Sequence, residues 1–166
     1  MKSKLRKLAA VGVILVMSVA MVGCGGGEDT KETVTKAVQD ISAAVKQPMQ
    51  DMATGLMSLM GLSDTSEIST SMDPIIKSMD DALAAIDAVD TPGPDSQSYK
   101  DASKEIIQLI KDMFTDFSNM SDLSEVDSIQ AKYTDRVTEL TNKTQQLADD
   151  IGKKYDIDLT QYTTMN

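Results

Sequence analysis

Apolar residues recur at intervals of three and four over most of this chain, and that rhythm limits its fold more than any other property. Val34, Val38, Ile41, Val45, Met49, Met52, Leu56 and Leu59 share one side of a helix, because 3.6 residues complete a turn and positions three or four apart stack above one another. The same spacing links Ile75, Met79, Leu83, Ile86 and Val89, then Tyr99, Ala102, Ile106, Ile110, Met113 and Phe117, then Val126, Ile129, Tyr133, Val137, Leu140, Leu147 and Ile151. No long segment alternates apolar with polar residues, so strands have no support. The expected class is all-α: an antiparallel helical bundle of about four amphipathic helices. Short connections make neighbours antiparallel, and intervals near 3.5 favour shallow crossings of about 20°.

Local signals place the helix ends. Asp29 or Thr30 can cap the first helix, with Asp29 and Glu32 imitating a capping box, and Gly61 can stop it. Pro48 lies inside that pattern and removes a backbone donor, so a kink is expected there. Asp73-Pro74 reads as an N-cap followed by proline at the first position of the second helix. Ile68 and Met72 extend the same stripe upstream, which leaves an earlier start with a kink at Pro74 open. The run Thr91-Pro92-Gly93-Pro94-Asp95 ends the second helix, and a cap near Asp95 or Ser96 opens the third. A break at 119–122 precedes the fourth, whose last turn carries Lys153 and Lys154 where the helix dipole favours cations. These signals bound a helical domain at 31–155, with 156–166 left as a C-terminal tail without a stripe.

The segment ahead of the helices has a different character. Lys2, Lys4, Arg6 and Lys7 are followed by fifteen uncharged residues from Leu8 to Val22, the n-region and h-region of an export signal. As a helix that run measures about 22 Å, short of the roughly 30 Å hydrocarbon core. It closes on Met21-Val22-Gly23-Cys24, which resembles the lipobox of bacterial lipoproteins, with Met in place of the usual Leu. The resemblance covers residues 1–24 only. It implies a signal peptide over 1–23, cleavage between Gly23 and Cys24, a diacylglyceryl thioether on Cys24 and acylation, for instance by palmitate, of the new amino terminus. Two or three acyl chains hold a protein on a bilayer where one anchors only marginally. Residues 24–30 then form a lipidated cysteine and a Gly-rich tether. Gly25 after that cysteine resembles lipoproteins sent to an outer membrane; in an envelope with one membrane the domain would face outward from it.

Composition removes several function classes. Cleavage after Gly23 takes away four of the 16 basic residues and none of the 26 acidic ones, moving the net charge from −10 to −14. Such a surface repels phosphates and anionic headgroups, so nucleic acid is not an expected partner. The chain has no His and one Cys, which excludes Ser-His-Asp and Cys-His catalysis and any internal disulfide. Aromatic residues are few and Trp is absent, which lowers the weight of sugar-binding and solute-binding platforms.

Two residue groups invite a metal reading. Met49, Met52, Met57 and Met60 are soft thioether ligands suited to Cu(I), but they fit or adjoin the apolar face, where Met fills irregular space beside a proline. Asp80-Asp81, Asp149-Asp150 and Asp156-Ile157-Asp158 are oxygen donors for calcium, but Asp156 onward lacks the glycine and closing glutamate of an EF-hand loop. Core methionines and solvated acids are therefore expected, with no metal or other cofactor.

The sequence thus points to a lipid-anchored envelope protein outside the cytoplasm, in the cell membrane or outer membrane. It is expected to be non-catalytic and to act through an envelope protein partner or a structural role. An anchored module holding a ligand or metal between its helices is the alternative.

Overall fold

The computed structural model describes residues 28–59 and 65–159. Each apolar stripe becomes a helix: α1 spans Lys31–Leu59, α2 Thr65–Asp87, α3 Pro94–Ser118 and α4 Val126–Tyr155, with a short 3-10 turn at Leu123–Glu125. The described residues contain no strand. None of their helices is long and apolar enough to cross a membrane. Gly61, the expected stop of α1, lies outside the described residues.

The start of α2 corrects the expectation of an N-cap at Asp73. The helix begins at Thr65 and continues through Pro74, as α1 continues through Pro48. Burial decides this: Ile68 and Met72 are 1% and 0% exposed, and ordering two more turns places both in the core. Pro74 is exposed, so the carbonyl that its missing N–H leaves free can face water.

Helix direction follows from cross-pairs. Between α2 and α3, Asp87 pairs with Lys104, Asp80 with Lys111 and Ser69 with Ser118, numbers that fall along one helix as they rise along the other. Between α3 and α4, Asp95 pairs with Lys154, Glu105 with Arg136 and Lys143, and Asp116 with Lys132. Both neighbouring pairs are antiparallel. Among the described residues α3 packs along α1, α2 and α4, while α4 forms no extended seam with α1 or α2.

That central place explains the burial of α3. Tyr99, Ala102, Ile106, Ile110, Met113 and Phe117 are buried as their stripe predicts, and so are Ser96, Ser103, Ile107 and Phe114 on a second face and Ser98 on the opposite flank of the stripe. Small serines let neighbouring helices approach, and their hydroxyls are satisfied within α3. Ser96 Oγ donates to the Gly93 carbonyl at 3.0 Å and Ser103 Oγ to the Tyr99 carbonyl at 2.7 Å. Among the described side chains of α4 the buried ones are Val126, Tyr133, Val137, Leu140, Leu147 and Ile151, a single stripe.

α4 ends at Asp156, a non-glycine residue with φ of 53° and ψ of 52°. Asp tolerates this left-handed conformation better than most residues. The N–H of Ile157 returns to the Gly152 carbonyl at 2.9 Å, and the chain turns back so that Leu159 is buried. The first residues of the expected tail thus pack on the domain.

Candidate functional site

Sequence signals placed the helix caps within their own helices, but α3 is capped from a distant part of the chain. Its N-cap is Gly93, followed by Pro94 at the first helical position, rather than Asp95 or Ser96. Glycine brings no side chain to the free N–H groups of the first turn. The Asp29 carboxylate supplies it: Oδ2 accepts from the backbone N–H of Asp95 at 2.5 Å and of Ser96 at 3.2 Å. A carboxylate at this position also complements the positive end of the helix dipole. A Cβ on Gly93 would overlap Cγ, Oδ2 and the backbone nitrogen of Asp29, so the two positions are fitted to each other. The other oxygen, Oδ1, is buried without a hydrogen-bond partner.

With Asp29 committed to α3, α1 is capped by Thr30. The Thr30 N–H donates to Thr33 Oγ1 at 2.8 Å and the Thr33 N–H to Thr30 Oγ1 at 3.2 Å, a reciprocal box in which Thr33 takes the part expected of Glu32.

More contacts gather at the same end. Lys31 Nζ donates to the carbonyl of Asp156, tying the start of α1 to the end of α4. Lys100 Nζ donates to the carbonyls of Asp87 and Val89 at 2.7 and 2.8 Å, closing the end of α2. Asp95 accepts from Lys154 Nζ and from Tyr155 Oη. Burial pushes the Asp95 carboxyl up, but the hydrogen bonds from Lys154 and Tyr155 and the Lys154 charge outweigh it and hold the group below its usual range. Burial, reinforced by the Asp95 bond, raises the Tyr155 phenol.

The clasp recurs at the far end of the same seam. Asp116 accepts from Lys132 Nζ at 2.6 Å and Tyr133 Oη at 2.8 Å. Burial again pushes its carboxyl up and the two donors win, leaving it lowered. In both clasps the ammonium lies over the adjacent ring, 5.0 Å from the Tyr133 centroid and 5.1 Å from that of Tyr155. Two Lys-Tyr dipeptides of α4 thus grip two aspartates of α3. Each tyrosine position is legible as part of the α4 end or stripe; Asp95 reads as a candidate cap of its own helix, and nothing in the sequence singles out Asp116.

The candidate metal ligands are dispersed. Met49 and Met52 are buried in the core at 3% and 1% exposure; Met57 lies in the last turns of α1 and Met60 is outside the described residues. Asp80 pairs with Lys111 across the α2–α3 seam, and Asp81 with Lys77 on its own helix. Among the described residues no group of three His, Cys, Asp or Glu side chains is placed to hold a metal ion. An open depression on α1, lined by Lys31, Glu32, Thr35, Lys36, Gln39 and Asp40, is a shallow polar surface. Gly23 and Cys24, the expected cleavage and lipidation residues, lie with the whole signal segment outside the described residues.

The family described as "Uncharacterised lipoprotein PM1805" matches residues 30–156, close to the span of the four helices. No curated protein and no solved structure matches the chain.

Proposed function

We propose, for a chain that belongs to the uncharacterised lipoprotein PM1805 family, that the mature protein is a non-catalytic bundle of four helices held on the outer side of an envelope membrane by acyl chains on Cys24. The observation that carries this reading is Met21-Val22-Gly23-Cys24. That tetrapeptide lies outside the matched residues 30–156, so the lipoprotein character of the family and the acylation motif of the leader support each other independently. The domain acts through protein contacts or as a structural element. The missing His, the single Cys and the apolar residues that make up most of the described core all favour a role without chemistry.

Metabolic labelling with palmitate tests the anchor. Label is expected in the parent and not in Cys24→Ser, and mass spectrometry of the mature amino terminus should find diacylglyceryl-cysteine. A bare thiol, or residues 1–23 retained in the settled product, would overturn the reading. Calorimetric titration with Cu(I), Ca²⁺ and a fatty acid should give no heat; binding of any of them favours a ligand-holding module instead.

A further inference from the structure

The junction between leader and domain has a defined geometry. Asp29 is held by two backbone N–H groups of α3 and fills the place where Gly93 has no side chain. The same end of the molecule carries the beginning of α1, the turn between α2 and α3, and the end of α4, which Lys31, Lys100 and Lys154 tie together. Only residues 25–28 separate Asp29 from an acyl-bearing Cys24, and the five residue steps between them reach at most about 18 Å. α3 then runs 25 residues away from this end, about 37 Å of helix.

We propose that Asp29 is a latch that fixes the membrane leash to the head of α3, so that the anchored domain stands with that end toward the bilayer and the end beyond Ser118 outward. The proposal rests on the acylation of Cys24. Asp29 is a positioning residue: it sets where pull from the anchor enters the fold, and α3, which packs on all three other helices, receives it. If Asp29 were free, the leash would extend to Thr30, where the cap of α1 begins, and its reach would grow to about 21 Å, with the pull entering through α1 rather than α3.

The test uses the full acylated protein reconstituted into phosphatidylethanolamine/phosphatidylglycerol vesicles that contain an acceptor-labelled lipid. With the native thiol occupied by lipid, one new cysteine carries the donor dye, either Asp90→Cys beside the α2–α3 turn or Ser124→Cys beyond the end of α3; both positions are exposed. Energy transfer from position 90 should exceed that from position 124 at least twofold. Asp29→Ala should lower Tm by about 3 °C through the lost cap and lower the transfer ratio, because the longer leash held only at α1 lets the domain tilt. Leu147→Ala, which removes buried apolar surface on α4 outside the Asp29 contacts, should lower Tm at least as much and leave the ratio at the parent value, which separates the latch from a purely structural role for Asp29. A ratio near one in the parent, or a ratio that Asp29→Ala leaves unmoved, overturns the latch. Protein that fails to sediment with the vesicles and shows no transfer at either position overturns the acylated reading beneath it.

Discussion

α3 and α4 have similar lengths, 25 and 30 residues, and each carries an apolar stripe, yet they are held in different ways. α3 is buried on two faces and touches every other helix, whereas α4 contributes one stripe and lies along α3 alone. The α3–α4 seam makes up the difference with polar contacts: a Lys-Tyr clasp near each end and Glu105 bridging Arg136 and Lys143 between them. Apolar burial on two sides scales with area and tolerates changes of pH or salt. Clasps between half-exposed ions contribute little to global stability but fix register and respond to solution conditions.

The largest expected break in this contrast comes from the core of α3. Phe114, at 0% exposure, should cost about 4 kcal/mol on truncation to Ala, and Leu147 on α4, at 7% exposure, about 2 kcal/mol. Urea denaturation of the two variants checks this; equal losses would mean that α4 is as deeply integrated as α3. A smaller effect is expected from Asp116→Asn, which weakens one clasp by about 1 kcal/mol. Its signature is local: hydrogen exchange should speed up in α4 amides before those of α3.

Acid should reproduce that local effect. The Asp95 and Asp116 carboxyls are held below their ordinary range in the folded state, so their contribution is complete above the unfolded value near 4 and is lost as pH falls through the folded values. Protection factors in α4 should therefore drop first below about pH 4. On the alkaline side the raised Tyr133 and Tyr155 phenols reverse the sign: their contribution is present below about pH 10 and lost above it. Uniform loss of protection across α3 and α4 in acid would show that the clasps do not govern the seam.

How much of this was legible depends on the distance over which each signal acts. Stripes are local, and Val34, Val38, Ile41, Met49 and Met52 are buried where their spacing puts them. The all-α class follows from the same arithmetic. Asp73-Pro74 is a local start signal, while Ile68 and Met72 continue the stripe upstream; only the packed structure, which buries both, decides for the earlier start at Thr65. The second face of α3 is hidden because two of its four positions, Ser96 and Ser103 ahead of Ile107 and Phe114, are serines, and small polar residues do not read as core. The cap by Asp29 joins positions 66 and 67 residues apart, and no local rule reaches so far. Its one trace in the sequence is Gly93, a cap position with no side chain ahead of Pro94. The roles of Asp95 and Asp116 in the clasps are likewise hidden: Asp95 reads as a cap for its own helix and Asp116 carries no signal, since nothing in α3 alone announces the Lys-Tyr pairs opposite.

The sulfur in the interior has a consequence of its own. Met49, Met52, Met72, Met79, Met113 and Met120 are each at most 6% exposed, and conversion of a thioether to its sulfoxide would force a polar group into close-packed surroundings. While the helices stay closed, a peroxide in the envelope cannot reach these atoms; once they part, each gain of one oxygen hinders re-closure. Mass gain on these six residues would therefore keep a count of opening events, written into the protein by its own chemistry.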